Sequence, residues 1–406
     1  MPAHLPKLSE RILHGILTGY KMNKPEILIP FETEKDIKEV KDINSLIKAK
    51  GNVTCKYLED KTNDKNNNFY YGGNFKHLPE IIKDKFTSPH KTPSVYISKY
   101  ANCTLIDDSL VISSDNKISK ECILNRRYFH QKSVKLNARG IEAIHKEPKE
   151  TIKIDKTCIF APANGLITAY THWFTEIITR LAILKNLPNE DIYFIFDDNI
   201  LGYQKEMLQK LGIDENKIIL KNKNNKYIVK ELYLPGGFAN IWLSEGCFYI
   251  YDKLKQGLNL NNVREEFKSG FNKIYLSRKD DKWKRSLLNL TQIHAPLQKA
   301  GYKAVIPESL NLDEKIYLFS NATHIVGEAG GGMTNIVFSN PGTKILVLAS
   351  ESFPSPIFTN ICTEKNIKYG YVMGTSYEFG DAHDNNANFV ISEKEFKAGL
   401  NALEAA

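Results

Sequence analysis

The feature that most constrains this chain is an alternation of short apolar segments with helix-length amphipathic ones, beginning near residue 158 and persisting to residue 348. Cys158-Ile159-Phe160, Tyr193-Phe194-Ile195-Phe196, Ile218-Ile219-Leu220 and Glu231-Leu232-Tyr233-Leu234 read as strands, with helices from His172 to Lys185 and from Tyr203 to Leu211. Gly212 follows the second helix where a left-handed C-cap belongs. After a helical stretch around 245–270 the pattern restarts. Strands fall at Lys273-Ile274-Tyr275-Leu276, Ala304-Val305-Ile306, His324-Ile325-Val326 and Lys344-Ile345-Leu346-Val347-Leu348, and helices at Leu287 to Ala300, Asp313 to Ser320 and from Met333. Strands separated by whole helices pair in parallel, because the crossover needs that length of chain. Two such blocks predict an α/β fold of two Rossmann-like units facing a cleft, with a boundary near 255.

The preceding residues read differently. From Ser94 to Ser119 short β-type runs alternate with turn residues such as Asp107-Asp108 and Asp115-Asn116, which predicts a small antiparallel meander. Residues 1–90 read as an appendage: an amphipathic helix from Ser9 to Met22, expected to pack on the body, and an exposed low-complexity loop from Asn63 to Asn68. The expected division is therefore an appendage at 1–90, an α/β domain with the meander at 91–255, and a second α/β domain at 256–406.

Composition narrows the function. No run approaches ~18 apolar residues, which argues against a membrane-spanning helix. The opening Met1-Pro2-Ala3-His4-Leu5-Pro6 lacks the charged-then-apolar pattern of a secretory signal, so a soluble cytoplasmic protein is expected. The six cysteines are widely spaced and form no zinc-type pair, which fits buried thiols in a reducing compartment. A net charge of +8 over 406 residues suits an anionic ligand or peripheral contact with the inner face of the membrane, and is too diffuse to indicate nucleic acid.

Three segments carry chemistry. Gly327-Glu328-Ala329-Gly330-Gly331-Gly332-Met333-Thr334-Asn335 follows an apolar strand and opens a helix, where backbone N–H groups converge on an anion. Gly330, Gly331 and Gly332 permit close approach, and Thr334 and Asn335 offer further donors. The segment is neither a P-loop nor G-x-G-x-x-G. Ser277-Arg278 ends another strand at the same sheet edge, so Arg278 or the downstream Arg285 could reach a phosphate held at the glycine turn. On the helix after Ala169, His172 and Glu176 stand one turn apart, as a base and an orienting carboxylate would, and Arg180 is expected to continue their face. Asp197-Asp198, at a strand end, are read as loop residues and not as metal ligands.

Together these segments resemble glycosyltransferase family 61. The matching residues are His172-Trp173-x-x-Glu176 with Arg180-Leu181, Ser277-Arg278 with Arg285, Pro307-Glu308-Ser309-Leu310, and Gly327 through Asn335. The chain departs from the family pattern at Ala329, where His is usual, at Gly331 for Ala, at Thr179 for Pro, at Leu290 for an acidic residue and at Val347 for Glu. The resemblance implies a GT-B architecture and inverting, metal-independent transfer of a sugar from a nucleotide donor, a UDP-sugar first, to a glycan or lipid-linked glycan hydroxyl. It also implies a place in bacterial capsule or surface-polysaccharide synthesis. Glu176, favoured, or His172 would be the base. Arg278, Arg285, Glu328, Gly330, Gly331, Gly332, Thr334 and Asn335 would hold the donor, and Trp173 and Arg180 the acceptor. No cofactor and no metal is implied. The rival readings are an inactive nucleotide- or glycan-binding subunit and a nucleotide-sugar-modifying enzyme such as an epimerase.

Overall fold

The computed structural model describes residues 95–119, 121–122, 136–163, 166–187, 191–236, 243–278, 285–377 and 387–406, with shorter pieces at 38–39, 53–57, 64–65, 69–73, 78, 80–87 and 90–91. The expected helix from Ser9 to Met22 lies outside them.

Two sheets form the frame. In the first, Thr151–Phe160, Ile192–Asp197 and Ile218–Lys221 lie side by side in parallel, and Lys226–Gly236 returns to the opposite flank of Thr151–Phe160, also parallel. Tyr96–Ile106 adds antiparallel to Lys226–Gly236, and Val53–Tyr57 antiparallel to Tyr96–Ile106. In the second sheet the order is Lys303–Val305, Lys273–Leu276, His324–Glu328, Lys344–Ser350, Lys368–Tyr377, all parallel. Helices Gly202–Lys210, Leu290–Lys299 and Leu312–Asn321 fall between strands, as the alternation predicts, and Ile357–Glu364 adds a further one beyond it.

The antiparallel region differs from the expected meander. Tyr96–Ile106 is one eleven-residue strand, not two short ones, and only Leu110–Ile112 folds back on it. The turn-forming Asn102 does adopt a positive φ of 52°, but pairing with Lys226–Gly236 on both sides of it keeps the strand continuous. Within the expected Asn63–Asn68 loop, Asp64–Lys65 pair with His90–Lys91 as a short ladder. Phe69–Gly73 is a parallel edge strand of the second sheet, so this part of the first ninety residues is built into the body.

One buried apolar cluster runs through both sheets. It includes Ile159 and Phe194 from the first and Ile274 and Ile325 from the second. Phe174, Tyr251 and Phe338 bridge them, with ring centroids 5.9–6.4 Å apart. Sheet faces and helix stripes that would otherwise meet water are buried against one another there, and burial is the dominant stabilising term. The two carboxyl edges are thereby held together. Among the described residues no helix is long and apolar enough to cross a membrane.

Candidate active site

The topology of the second sheet singles out one crevice. Its strand Lys273–Leu276 leads to a neighbour on one side, and the chain then crosses to place His324–Glu328 on the other. The carboxyl ends of these two strands form the topological switch point of the sheet, which is where ligands sit in open parallel sheets. Ser277-Arg278 leaves the first strand, and the glycine turn leaves the second.

The glycines of that turn do different jobs. A Cβ on Gly327 would fall 2.4 Å from the Met333 sulfur, and one on Gly332 would fall 2.9 Å from Pro307, so these two are needed for packing. Gly330 and Gly331 are less tightly enclosed, and a Cβ at either would meet its neighbours at ordinary contact distance. A Cβ on Gly330 would sit 3.7 Å from the Arg278 guanidinium, and one on Gly331 3.6 Å from Tyr170. The turn therefore lies between the Arg278 guanidinium on one side and Tyr170 on the other. Gly331–Phe338 then forms a 3-10 helix that turns its first N–H groups toward the same edge.

Thr334 and Asn335, expected to contact the donor, are fully buried. Thr334 shares a hydroxyl–hydroxyl bond of 3.0 Å with Thr171. The Tyr170 hydroxyl donates to Asn335 Oδ1 at 2.7 Å, while Asn335 Nδ2 donates to the Gly332 carbonyl. These side chains fasten the His172 helix to the glycine turn. The composition of the motif identified them as polar, but it could not show that their partners were 163 and 165 residues away.

The helical run from Tyr170 to Lys185 changes pitch twice: α over Tyr170–His172, π over Trp173–Ile177, 3-10 over Ile178–Lys185. Thr175 and Thr179 each donate a hydroxyl to the carbonyl four residues back, competing with the ordinary ladder. His172 and Glu176 remain neighbours, with Nδ1 2.7 Å from Oε1. A carboxylate only accepts, so the imidazole donates through Nδ1 and its Nε2 is left with the lone pair. The hydrogen bond that His172 donates to Glu176 raises the His172 pKa above 6.5, against the opposing effect of burial. The His172 side chain is 41% exposed and that of Glu176 17%, so the imidazole is the member presented outward.

Arg180 and Trp173 are not brought to this face. The π turn at Glu176 and the 3-10 turns from Ile178 on carry Arg180 further round from Glu176 than the roughly 40° of an α-helix. Its guanidinium is buried on Glu121 at 3.2 Å and on the Pro235 carbonyl. Trp173 is fully buried, packs on Phe196 and donates its indole N–H to the Met207 sulfur at 3.2 Å.

On the other side of the turn, Glu328 is buried beneath Arg278 and accepts from the Tyr275 hydroxyl at 3.1 Å. Burial pushes its carboxyl up to about 7, with Arg278 and the hydrogen bonds opposing that shift. Arg278 donates to the Arg285 carbonyl at 3.3 Å. Arg285 packs its guanidinium 4.2 Å from the Phe353 ring centroid. Desolvation and then the charge of Arg278 lower its pKa. The edge thus carries two adjacent guanidiniums against one carboxyl that is easily protonated. Asp197 lies elsewhere, in an ion pair of 3.2 Å with Lys221, and Asp198 accepts from Asn222.

The glycine turn and two arginines thus lie at the switch point of a parallel sheet, and the helix that carries His172 and Glu176 docks on that turn. The model of the family Glycosyltransferase 61 matches residues 170–346, from the first residue of the His172 helix to the strand after the glycine turn. The chain carries a glycosyltransferase family 61 domain over that span and is a glycosyltransferase. No curated protein matches the chain.

Proposed function

We propose that this glycosyltransferase moves a sugar from a nucleotide-sugar donor, a UDP-sugar first, to a hydroxyl of a glycan or lipid-linked glycan, inverting the anomeric centre without a metal ion. The observation that carries this reading is the docking of the His172 helix on the glycine turn through Tyr170–Asn335 and Thr171–Thr334. It sets a base beside an anion-holding edge. In the GT-B arrangement we favour, residues 91–255 face the acceptor and 256–406 hold the donor.

His172 Nε2 takes the acceptor proton while Glu176 fixes the tautomer and stabilises the imidazolium that forms. This reverses the preference for Glu176 drawn from the sequence, because the imidazole is the outward member of the pair. The acceptor oxygen then attacks the anomeric carbon from the face opposite the leaving nucleoside diphosphate. Arg278, Arg285 and the N–H groups after Gly330 stabilise the negative charge of that leaving group. A role in bacterial surface-glycan synthesis at the inner membrane face agrees with the mild positive charge.

The test is nucleotide release by the purified protein from a panel of UDP-sugars, with and without polysaccharide acceptors, in EDTA. Release that requires the acceptor and survives EDTA is expected. Activity lost in EDTA and restored by magnesium or manganese would overturn the metal-independent mechanism, and release without acceptor would overturn transfer.

A further inference from the structure

Arg285 is held in a way that nothing in the motifs accounts for. Its φ is +72°, a left-handed conformation that a bulky L-residue adopts only when its surroundings over-determine it. They do so from both sides. Ser286 N–H donates to Asn388 Oδ1, Leu288 N–H to the Phe389 carbonyl, and Phe389 N–H back to the Ser286 carbonyl. The opposing loop is pinned as well: Phe353 N–H donates to the Ser350 carbonyl, and Ser350 bonds to both Ser352 and Ser376. Between these fixed backbones the guanidinium packs at 4.2 Å on the Phe353 ring, and its Nε is buried without a hydrogen-bond partner. Among the described residues no carboxylate lies within ion-pair distance of it.

We infer that Phe353 is a positioning residue for the donor diphosphate, holding the Arg285 guanidinium ready so that its N–H edge is left for a phosphate oxygen. An arginine beside Arg278 would otherwise swing away from the like charge into water, and ordering it again on binding would cost affinity. The aromatic face is the one uncharged partner that can hold a guanidinium without occupying its donors with a carboxylate. The inference rests on the donor site proposed above and concerns how that site is preorganised.

The experiment measures binding of UDP, inorganic diphosphate and uridine by calorimetry, together with KM and kcat for transfer. The variants are Phe353→Leu, Phe353→Trp, Arg285→Ala, the double Phe353→Leu/Arg285→Ala, and Arg278→Ala. Phe353→Leu is expected to weaken UDP and diphosphate about 5–20-fold, to leave uridine unchanged, and to raise KM much more than it lowers kcat. Phe353→Trp should restore most of the loss, since the π-face is kept. The double variant should bind no more weakly than Arg285→Ala alone, because the ring acts through the guanidinium. Should Phe353→Leu fail to fold, Arg285→Lys carries the same expectation, as an ammonium cannot lie flat on the ring and present a fork. Wild-type affinity in Phe353→Leu, or a double variant whose losses add, would overturn the inference while Arg278→Ala still weakens UDP. Failure of the wild type to bind UDP or diphosphate at all would remove the donor site and this inference with it.

Discussion

At the residue scale the His172–Glu176 pair makes a prediction with a sign. A base must be unprotonated, and Glu176 raises the His172 pKa above 6.5. The acidic limb of the kcat/KM profile should therefore lie above pH 6.5 and move down in Glu176→Gln, with turnover lowered roughly 10-fold to 100-fold. His172→Ala should lose the limb altogether and about 10²–10⁴-fold in rate. A limb that stays in place in Glu176→Gln would separate the two residues. Linkage runs the other way for stability: a raised imidazole pKa favours the fold below about pH 6.5, and the contribution disappears as pH rises through the folded value. Arg180 carries a different expectation. Removing one partner of a buried ion pair leaves Glu121 uncompensated, so Arg180→Ala should cost about 3–5 kcal/mol of stability. Denaturant unfolding reads that directly. A variant of wild-type stability with impaired acceptor binding would restore Arg180 to the acceptor site.

At the scale of elements, the glycine turn separates packing from binding. Gly331→Val should weaken UDP binding far more than it lowers the melting temperature, because its β-carbon is accommodated at contact distance from Tyr170 while its branches crowd the turn. Gly327→Ala should instead destabilise the protein by roughly 1–3 kcal/mol through overpacking on Met333. Thermal melts with and without UDP distinguish the two, and equal stability loss in both would erase the distinction. The elements also show what the sequence reveals. The alternation after residue 158 gave the parallel strands, because a period of two and a period near 3.6 are local signals. The same locality made Ser277-Arg278 and the glycine turn visible as strand-end loops. Pitch was not visible: the π and 3-10 turns arise from threonine back-bonding and core packing, and they send Arg180 inward although its spacing suits an α-helical stripe. Nor could the edge strand Phe69–Gly73 be paired from sequence, since its partner Lys368–Tyr377 lies about three hundred residues on. The Phe353–Arg285 stack left no local signal either.

At the scale of the whole molecule, the proposed base follows a strand of the first sheet and the proposed donor edge ends strands of the second, so the proposed catalysis depends on whatever holds the sheets in register. Aromatic packing around Phe174, Tyr251 and Phe338 supplies the adhesion. A second, polar tie sits on the outer side. Asp313, on the helix Leu312–Asn321, is fully buried and accepts from Lys210 Nζ at 2.8 Å, Asn259 N–H at 3.0 Å and Asn262 Nδ2 at 2.7 Å. Lys210 closes the helix Gly202–Lys210 of the first unit, so the bond crosses between the two halves. Burial alone would raise the Asp313 pKa, yet the Lys210, Asn259 and Asn262 hydrogen bonds together hold it below 3.8. A depressed carboxyl pKa stabilises the fold above about pH 3.8, and that contribution is lost as pH falls through the folded value. Asp313→Ala leaves the Lys210 ammonium its bond to the Gly257 carbonyl but no counter-charge there, and should cost about 3 kcal/mol at pH 7. Because the tie spans the halves, kcat should fall several-fold while UDP, held by the second sheet alone, binds as before. Asp313→Asn keeps two of the three acceptor bonds and should lose less on both counts. An Asp313→Ala protein that unfolds at the wild-type denaturant midpoint would show that the aromatic core alone sets the register.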